Sequence, residues 1–403
     1  MSFTKAFIPY KAYWSTPFCR WQGSFADLHA VEFAGETAQK VLKERNIPAE
    51  IIDSVDFGIS IPQPSVFYGG PWVAALLGAQ QAPGPMLGQA CITGIRVINQ
   101  ASLELEAGQS NVSLALTADR CSNGPHLVYP GPSKPGGTPV SEDWVWDNFG
   151  NDPWAGNAML QTAENVAKEV GITKEEQDEV AFLRYQQYQD AVADDKAFQR
   201  RYMVMPVEIK NKKGKVVKSV DGDEGIFPST REGLASLKAV IPGGTVSYGS
   251  QTHPADANCG TIVCTREKAR ELSKDPAIEI QVISFAQART KKGYMAMAVV
   301  PAARLALGRA DLDIKDIAAI KTHNPFAVND VYFCREFGVK QEDMNHYGSS
   351  MIYGHPQAPT AQRAVIELIE ELVIRGGGYG LFAGCAAGDS GGSMVIKVDT
   401  GKA

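Results

Sequence analysis

Nowhere in the chain do about eighteen uncharged apolar residues follow one another, so no membrane-spanning helix is expected. The opening MSFTKAFIPYKAYW has neither an apolar run of signal-peptide length nor a small-residue cleavage pattern, and from it a cytoplasmic protein is expected. No C-x-x-C pair occurs, which removes zinc knuckles of the usual spacing. The seven scattered cysteines, an odd number, do not suit a disulfide framework. Reduced thiols, most of them structural, are the expectation, and no metal site is foreseen. Basic charge is also short. The net charge is −6, whereas a nucleic-acid or anionic-membrane surface needs a concentrated excess of Lys and Arg. The run KNKKGKVVK is too short to alter that and predicts a solvated hairpin.

With 403 residues, 44% of them apolar and 21% charged, the chain can bury a large core arranged as two domains or two fused halves. Residues 29–46, HAVEFAGETAQKVLKERN, repeat apolar positions at helical spacing, and IPAEIIDSVDFGISIP then reads as a short helical turn and a strand. A helix from about Ile92 to Glu106 ends at AGQS and leads into the strand NVSLALTA. Alternation of this kind predicts α/β layers on a mainly parallel sheet. Between about Arg120 and Pro242 the texture changes to a Pro/Gly-rich loop, a cluster containing Trp144, Trp146 and Trp154, and a long helical stretch. There Thr173 offers an N-cap and Glu176 its capping-box partner. The α/β texture then returns. Layout thus divides the chain into residues 1–120 plus 243–270, an inserted loop domain at 121–242, and a second half at 271–403.

Four places could carry chemistry. Cys91 in GQAC opens a helix, where unpaired N–H groups and the helix dipole would lower a thiol pKa toward neutrality. Free cysteine is also among the most buried residue types, so a packed core thiol fits the same stretch at least as well. His323 follows an apolar strand in IAAIKTHNPFA, at the carboxyl end where α/β proteins place functional side chains. His355 in YGHPQAP is stiffened by Pro356, and each histidine taken alone also fits an ordinary polar loop. Cys385 lies in YGLFAGCAAGDSGGSMVIKV, where small residues let backbone N–H groups approach a ligand closely. A phosphate loop there is disfavoured, because no Lys and no helix follow.

Taken together, the Cys91 loop, TAENVAKEVGITKEEQDEVA, KTHNPFA, GHP at 354–356 and the late GCAAGDSGG resemble the thiolase family in order and spacing over nearly the whole chain. The resemblance implies an α/β thiolase-like fold of two similar βαβαβαββ halves in an α-β-α-β-α layered arrangement. It implies that Cys91 attacks a coenzyme A thioester, that His355 takes its proton, and that Cys385 is the second acid/base in the carbon–carbon step. The enolate oxygen would be held by His355 with a bound water, and the acyl oxyanion by the backbone N–H groups of Cys91 and Ala387. Coenzyme A enters as a substrate, a homodimer is implied, and some atypical members add a small zinc-ribbon/OB-fold partner subunit.

Several positions depart from the pattern. His323-Asn324-Pro325-Phe326 stands where Asn-Glu-Ala-Phe is usual, so a histidine replaces the water-holding asparagine, as in sterol-carrier-type and archaeal thiolases. A Cys-His-His set is shared with ketoacyl synthases, but Cys385 favours a thiolase. Ala386 and Ala387 replace glycines, GHPQAPTAQR replaces GHPxGxSGAR, and Thr252 lies where a CoA-contacting serine is common. The bulky Trp144, Trp146, Phe149 and Trp154 either pack the insertion or shape a pocket for a bulky or aromatic acyl group. The second reading points to thiolases that cleave benzoylsuccinyl-CoA to benzoyl-CoA and succinyl-CoA. A generic acetoacetyl-CoA or 3-ketoacyl-CoA thiolase, a Cys-His hydrolase and a non-catalytic acyl-CoA-binding scaffold are the alternatives.

Overall fold

The protein is described by a computed structural model covering residues 2–401. Its strands are β1 (Tyr13–Ser15), β2 (Cys19–Arg20), β3 (Ser54–Gly58), β4 (Met86–Leu87), β5 (Val112–Arg120), β6 (His126–Tyr129) and β7 (Val140–Asp143). They continue as β8 (Val207–Lys210), β9 (Val216–Val220), β10 (Ala255–Cys264), β11 (Glu279–Arg289), β12 (Ile317–His323), β13 (Gly377–Ala386) and β14 (Ser390–Asp399). One sheet has the order β1-β10-β5-β3-β4 with β2 also on β10, and a second has the order β11-β14-β13-β12. The two share a layout. In the first, β3 runs parallel to β5 and β10 antiparallel to it; in the second, β12 runs parallel to β13 and β14 antiparallel to it.

The sheets are therefore mixed, which corrects the expectation of a mainly parallel sheet. The reason is the connection that closes each half. β13 and β14 are joined by a tight turn, so they must run antiparallel. Arg120 and Asp256 are direct neighbours across β5 and β10, so the whole excursion between them leaves and returns at one place and acts topologically as a hairpin loop. Within that excursion β8 and β9 form the antiparallel hairpin expected from KNKKGKVVK. Thr173 caps the Lys174–Lys196 helix in a full capping box with Glu176.

Between the two sheets lies the helix Ala358–Arg375, which is buried on all sides from Ala358 to Leu372. Burying its charged residues requires partners for each. Arg363 pairs with Asp223 and Glu367, Lys321 also reaches Glu367, and Lys11 and Arg201 meet Glu370. Gln362 ties this helix to the first sheet through the Thr117 hydroxyl and the Ala115 carbonyl. The helix Thr93–Glu106 packs beside it so closely that a Cβ on Gly94 would lie 2.4 Å from the Gln362 backbone nitrogen. Two helices that start from the loops of Cys91 and His355 are thereby pressed together at their beginnings.

That contact tolerates no added methyl. The substitution Gly94→Ala is expected to destabilise the protein by about 1–3 kcal/mol through overpacking, read as a lowered thermal midpoint. An unchanged midpoint would mean that the two helices can separate freely.

Candidate active site

Cys91 sits in a single 3-10 turn, Ala90–Ile92, that feeds the helix Thr93–Glu106. Ala90 has φ 43, a left-handed conformation unfavourable for an alanine, and the turn is held where the Thr93 hydroxyl accepts from Gln89 N–H at 2.7 Å. The backbone N–H groups of Ala387 and Cys91 favour the Cys91 thiolate. Burial outweighs them and pushes the thiol up to about 12, with Asp119 adding to the rise. The expectation that the helix start lowers this pKa toward neutrality is thus corrected. The local N–H groups are outweighed because nearly all of the sulfur's hydration is lost.

His355 reaches the same point from the other side. Its N–H donates to the His253 carbonyl at 2.8 Å, which fixes the strand-like approach from Pro254, and Gly354 bends the chain with φ 95. The His355 Nδ1 lies 2.6 Å from the Thr360 hydroxyl, while its Nε2 is buried and has no partner. Burial lowers its pKa to about 3; the Gln357 side chain opposes the shift and His253 reinforces it. His323 ends β12, with Nδ1 2.8 Å from the Ser350 hydroxyl and a buried, unpartnered Nε2. Burial, then the neighbouring His355, holds its pKa well below the ordinary value. The two imidazoles lie 4.2 Å apart, and the Cys91 sulfur and a nitrogen of each ring fall within 4.8 Å of one another. These atom types could also hold a soft divalent cation.

Cys385 is the last residue but one of β13, fully buried, and its sulfur accepts from Asn329 Nδ2 at 3.3 Å. Burial raises its pKa, and Cys91 is the next largest influence. A cavity of about 940 Å³ opens onto Cys91, His355, Gln357, Ala387 and Thr252. His323 and Cys385 are not on its wall but directly behind it, each with no exposed surface. The Thr252 hydroxyl is turned to the Ser350 carbonyl at 2.5 Å, and its N–H donates to Pro325. Trp144, Trp146 and Phe149 form one side of the cavity, with the Trp144 indole donating to the Ser60 carbonyl at 3.0 Å. Trp154 stands apart from this wall, largely exposed beside Lys292.

Sequence reading missed the supports. Asp119 accepts from Ser60, Ile61 and Ala358 N–H groups at 2.8 to 2.9 Å, and so joins the cavity wall to the start of the central helix. Asn324 donates to Asp330, which also receives Arg184, and this carboxylate orders the HNPF loop. Gln357 reaches the Cys91 sulfur at 3.5 Å. Only Gln357, beside GHP, carried any local signal.

The comparisons with known proteins agree with this geometry. The thiolase N-terminal domain family matches residues 12–267, and the thiolase C-terminal domain family matches residues 277–398. The chain belongs to the thiolase family. It is 30% identical over 401 residues, with 95% of this chain and 96% of the relative covered, to an acetyl-CoA acetyltransferase of Syntrophomonas wolfei. It is also 28% identical to a β-ketoadipyl-CoA thiolase of Pseudomonas knackmussii, over 95% of this chain and 96% of that protein. Human mitochondrial 3-ketoacyl-CoA thiolase in complex with CoA superimposes with TM-score 0.88 at 25% identity, covering 98% of this chain and 99% of that one. This thiolase is an acyltransferase that takes coenzyme A as a substrate, and its two mixed-sheet halves have the layered thiolase architecture. Among the described residues no helix is long and apolar enough to cross a membrane.

A thiol held near pKa 12 beside a histidine held near 3 leaves both groups neutral across the working pH range. Below its pKa the thiolate fraction rises about tenfold per pH unit. Alkylation of resting Cys91 by iodoacetamide should therefore climb with pH through about pH 9 without levelling. A plateau reached by neutral pH would contradict the buried, protonated thiol.

Proposed function

We propose that this thiolase cleaves a 3-oxoacyl-CoA with free CoA, or runs the reverse condensation, through an acyl group on Cys91. The cluster of Cys91, His323 and His355 at the cavity floor, with Cys385 behind it, is the observation that carries the reading. In the cleavage direction Cys91 attacks the 3-oxo carbon while its proton passes to His355. The new oxyanion is received by the Cys91 and Ala387 N–H groups, which already favour negative charge at the sulfur. Breaking the carbon–carbon bond leaves a thioester enolate. His355, now protonated, and His323 face it with nitrogens that have no protein partner in the resting site, and Cys385 supplies the proton to its carbon. CoA then takes the acyl group from Cys91. Thr252 is assigned a contact with the CoA arm from its place on the cavity wall.

The substrate we favour is a generic 3-ketoacyl-CoA of the kind used by sterol-carrier-type and archaeal thiolases, in keeping with the names borne by the relatives. A bulky or aromatic acyl group, benzoylsuccinyl-CoA being the type, is the second reading, favoured by one observation. The cavity side formed by Trp144, Trp146 and Phe149 is aromatic, with Trp146 and Phe149 packed edge to face. The setting we infer is the cytoplasm, supported by seven unpaired cysteines. The proposed homodimer would form on the open outer edge of β4, beside exposed Met86, Phe67 and Tyr68. The proposed zinc-ribbon/OB-fold subunit would dock on the exposed Val128, Tyr129 and Val140 of the β6–β7 hairpin. The division at residues 121–242 assigns that hairpin and the tryptophan wall to one inserted loop domain.

Two measurements bear on this. Cys385→Ala should still transfer an acyl group to Cys91 but lose about 10²- to 10⁴-fold in the carbon–carbon step. Full thioester turnover without Cys385 would point to a Cys-His hydrolase instead. Turnover of acetoacetyl-CoA should be comparable to or faster than that of an aryl 3-oxoacyl-CoA. The opposite order, with a clear preference for the aryl substrate, moves the assignment to the second reading.

A further inference from the structure

Gln357 is the residue of the site with the least comfortable backbone. It has φ 62 and ψ −102, a left-handed conformation in which a glycine would be less strained. Its neighbours enforce that geometry. Pro356 and Pro359 flank it, the Ala358 N–H is taken by Asp119 at 2.9 Å, and the Gln357 carbonyl receives the Thr360 N–H at 3.2 Å. The strain has a consequence for the side chain. It carries the amide inward, only 6% of the residue is exposed, and Oε1 comes to 3.5 Å from the Cys91 sulfur.

On the reading that Cys91 and His355 exchange a proton, we propose that Gln357 is a positioning residue for that proton, its Oε1 accepting the S–H before transfer and the His355 Nε2–H after it. The step balances within the site. The proton leaves the Cys91 sulfur as its electron pair forms the bond to the acyl carbon, and it ends on Nε2 of His355. At that moment the imidazolium gains a buried donor at Nε2, an atom with no partner in the resting site, and Gln357 Oε1, already beside the Cys91 sulfur, is the acceptor assigned to it. The Gln357 side chain accordingly raises the proton affinity of His355 against the effect of burial. Thr360 holds the opposite nitrogen, so the ring cannot turn away to find another acceptor. A nonpolar side chain at 357 would leave both forms of the pair without this oxygen.

Three variants separate the role of the oxygen from a role in packing or backbone. Gln357→Met keeps length and volume without the acceptor, Gln357→Gly relieves the left-handed strain without the acceptor, and Gln357→Glu keeps an oxygen at the same reach. The readout is the rate of Cys91 acylation in a rapid quench, using whichever of acetyl-, acetoacetyl- and benzoyl-CoA labels wild-type Cys91 most strongly. The Met and Gly variants should each lose about tenfold or more in acylation, and the Glu variant should stay within about threefold of wild type. KM should move by no more than about twofold in all three. Wild-type acylation rates in the Met or Gly variant, or a Glu variant as slow as the Met one, overturn the proposal alone. Failure of wild-type Cys91 to acquire any acyl group overturns the catalytic reading and this proposal together.

Discussion

The close passage of two helix starts between two sheets is the constraint on which the rest of the structure depends. Gly94 lets the helix Thr93–Glu106 lie against the central helix Ala358–Arg375 near Gln362, and each helix begins at a loop that holds one partner of the acyl-transfer pair. The carboxyl ends of β12 and β13, neighbours in the second sheet, bring His323 and Cys385 to the same place. Because Asp119 from β5 caps the central helix at Ala358, the first sheet sets the position of His355 on the second half. Neither half contains the site alone. Dense packing of this kind moves little, which is what a reaction needs when its donors must already be aimed at charge not yet formed.

The electrostatic state follows from the same burial. Both cysteines of the site are protonated and both histidines neutral, since desolvation dominates every one of these groups. A pre-formed thiolate is therefore not the resting nucleophile. On the proposed mechanism the charge pair arises only as the thiol attacks, with the backbone N–H groups at Cys91 and Ala387 and the imidazole at His355 assigned to receive it. This arrangement keeps the resting thiol protonated, and on the proposed mechanism ties its full reactivity to the presence of a thioester in the cavity.

Much of this was legible in the sequence, for identifiable reasons. The helices around residues 30–44 and 93–106 and the Thr173 capping box follow from local periodicity and local hydrogen bonding, which a linear reading can see. Cys91, His323, His355 and Cys385 stood out because each sits at an element boundary rich in Gly, Pro or small residues. The mixed sheets were not legible, because antiparallel return depends on where the long excursion after Arg120 re-enters, a non-local fact. The thiol pKa was misjudged because a helix start is local and burial is not. Asp119 and Gln357 escaped for the same reason: their partners lie 239 and 266 residues away in the chain.

The account stands on Cys91 carrying the acyl group. Peptide mass spectrometry of Cys91 after brief incubation with acetyl-, acetoacetyl- and benzoyl-CoA, with Cys91→Ser as control, tests this most directly. The account predicts a thioester adduct on Cys91 from at least one donor, discharged on adding free CoA and absent from the control. An adduct on another residue, or turnover that proceeds in the Cys91→Ser protein, would contradict it.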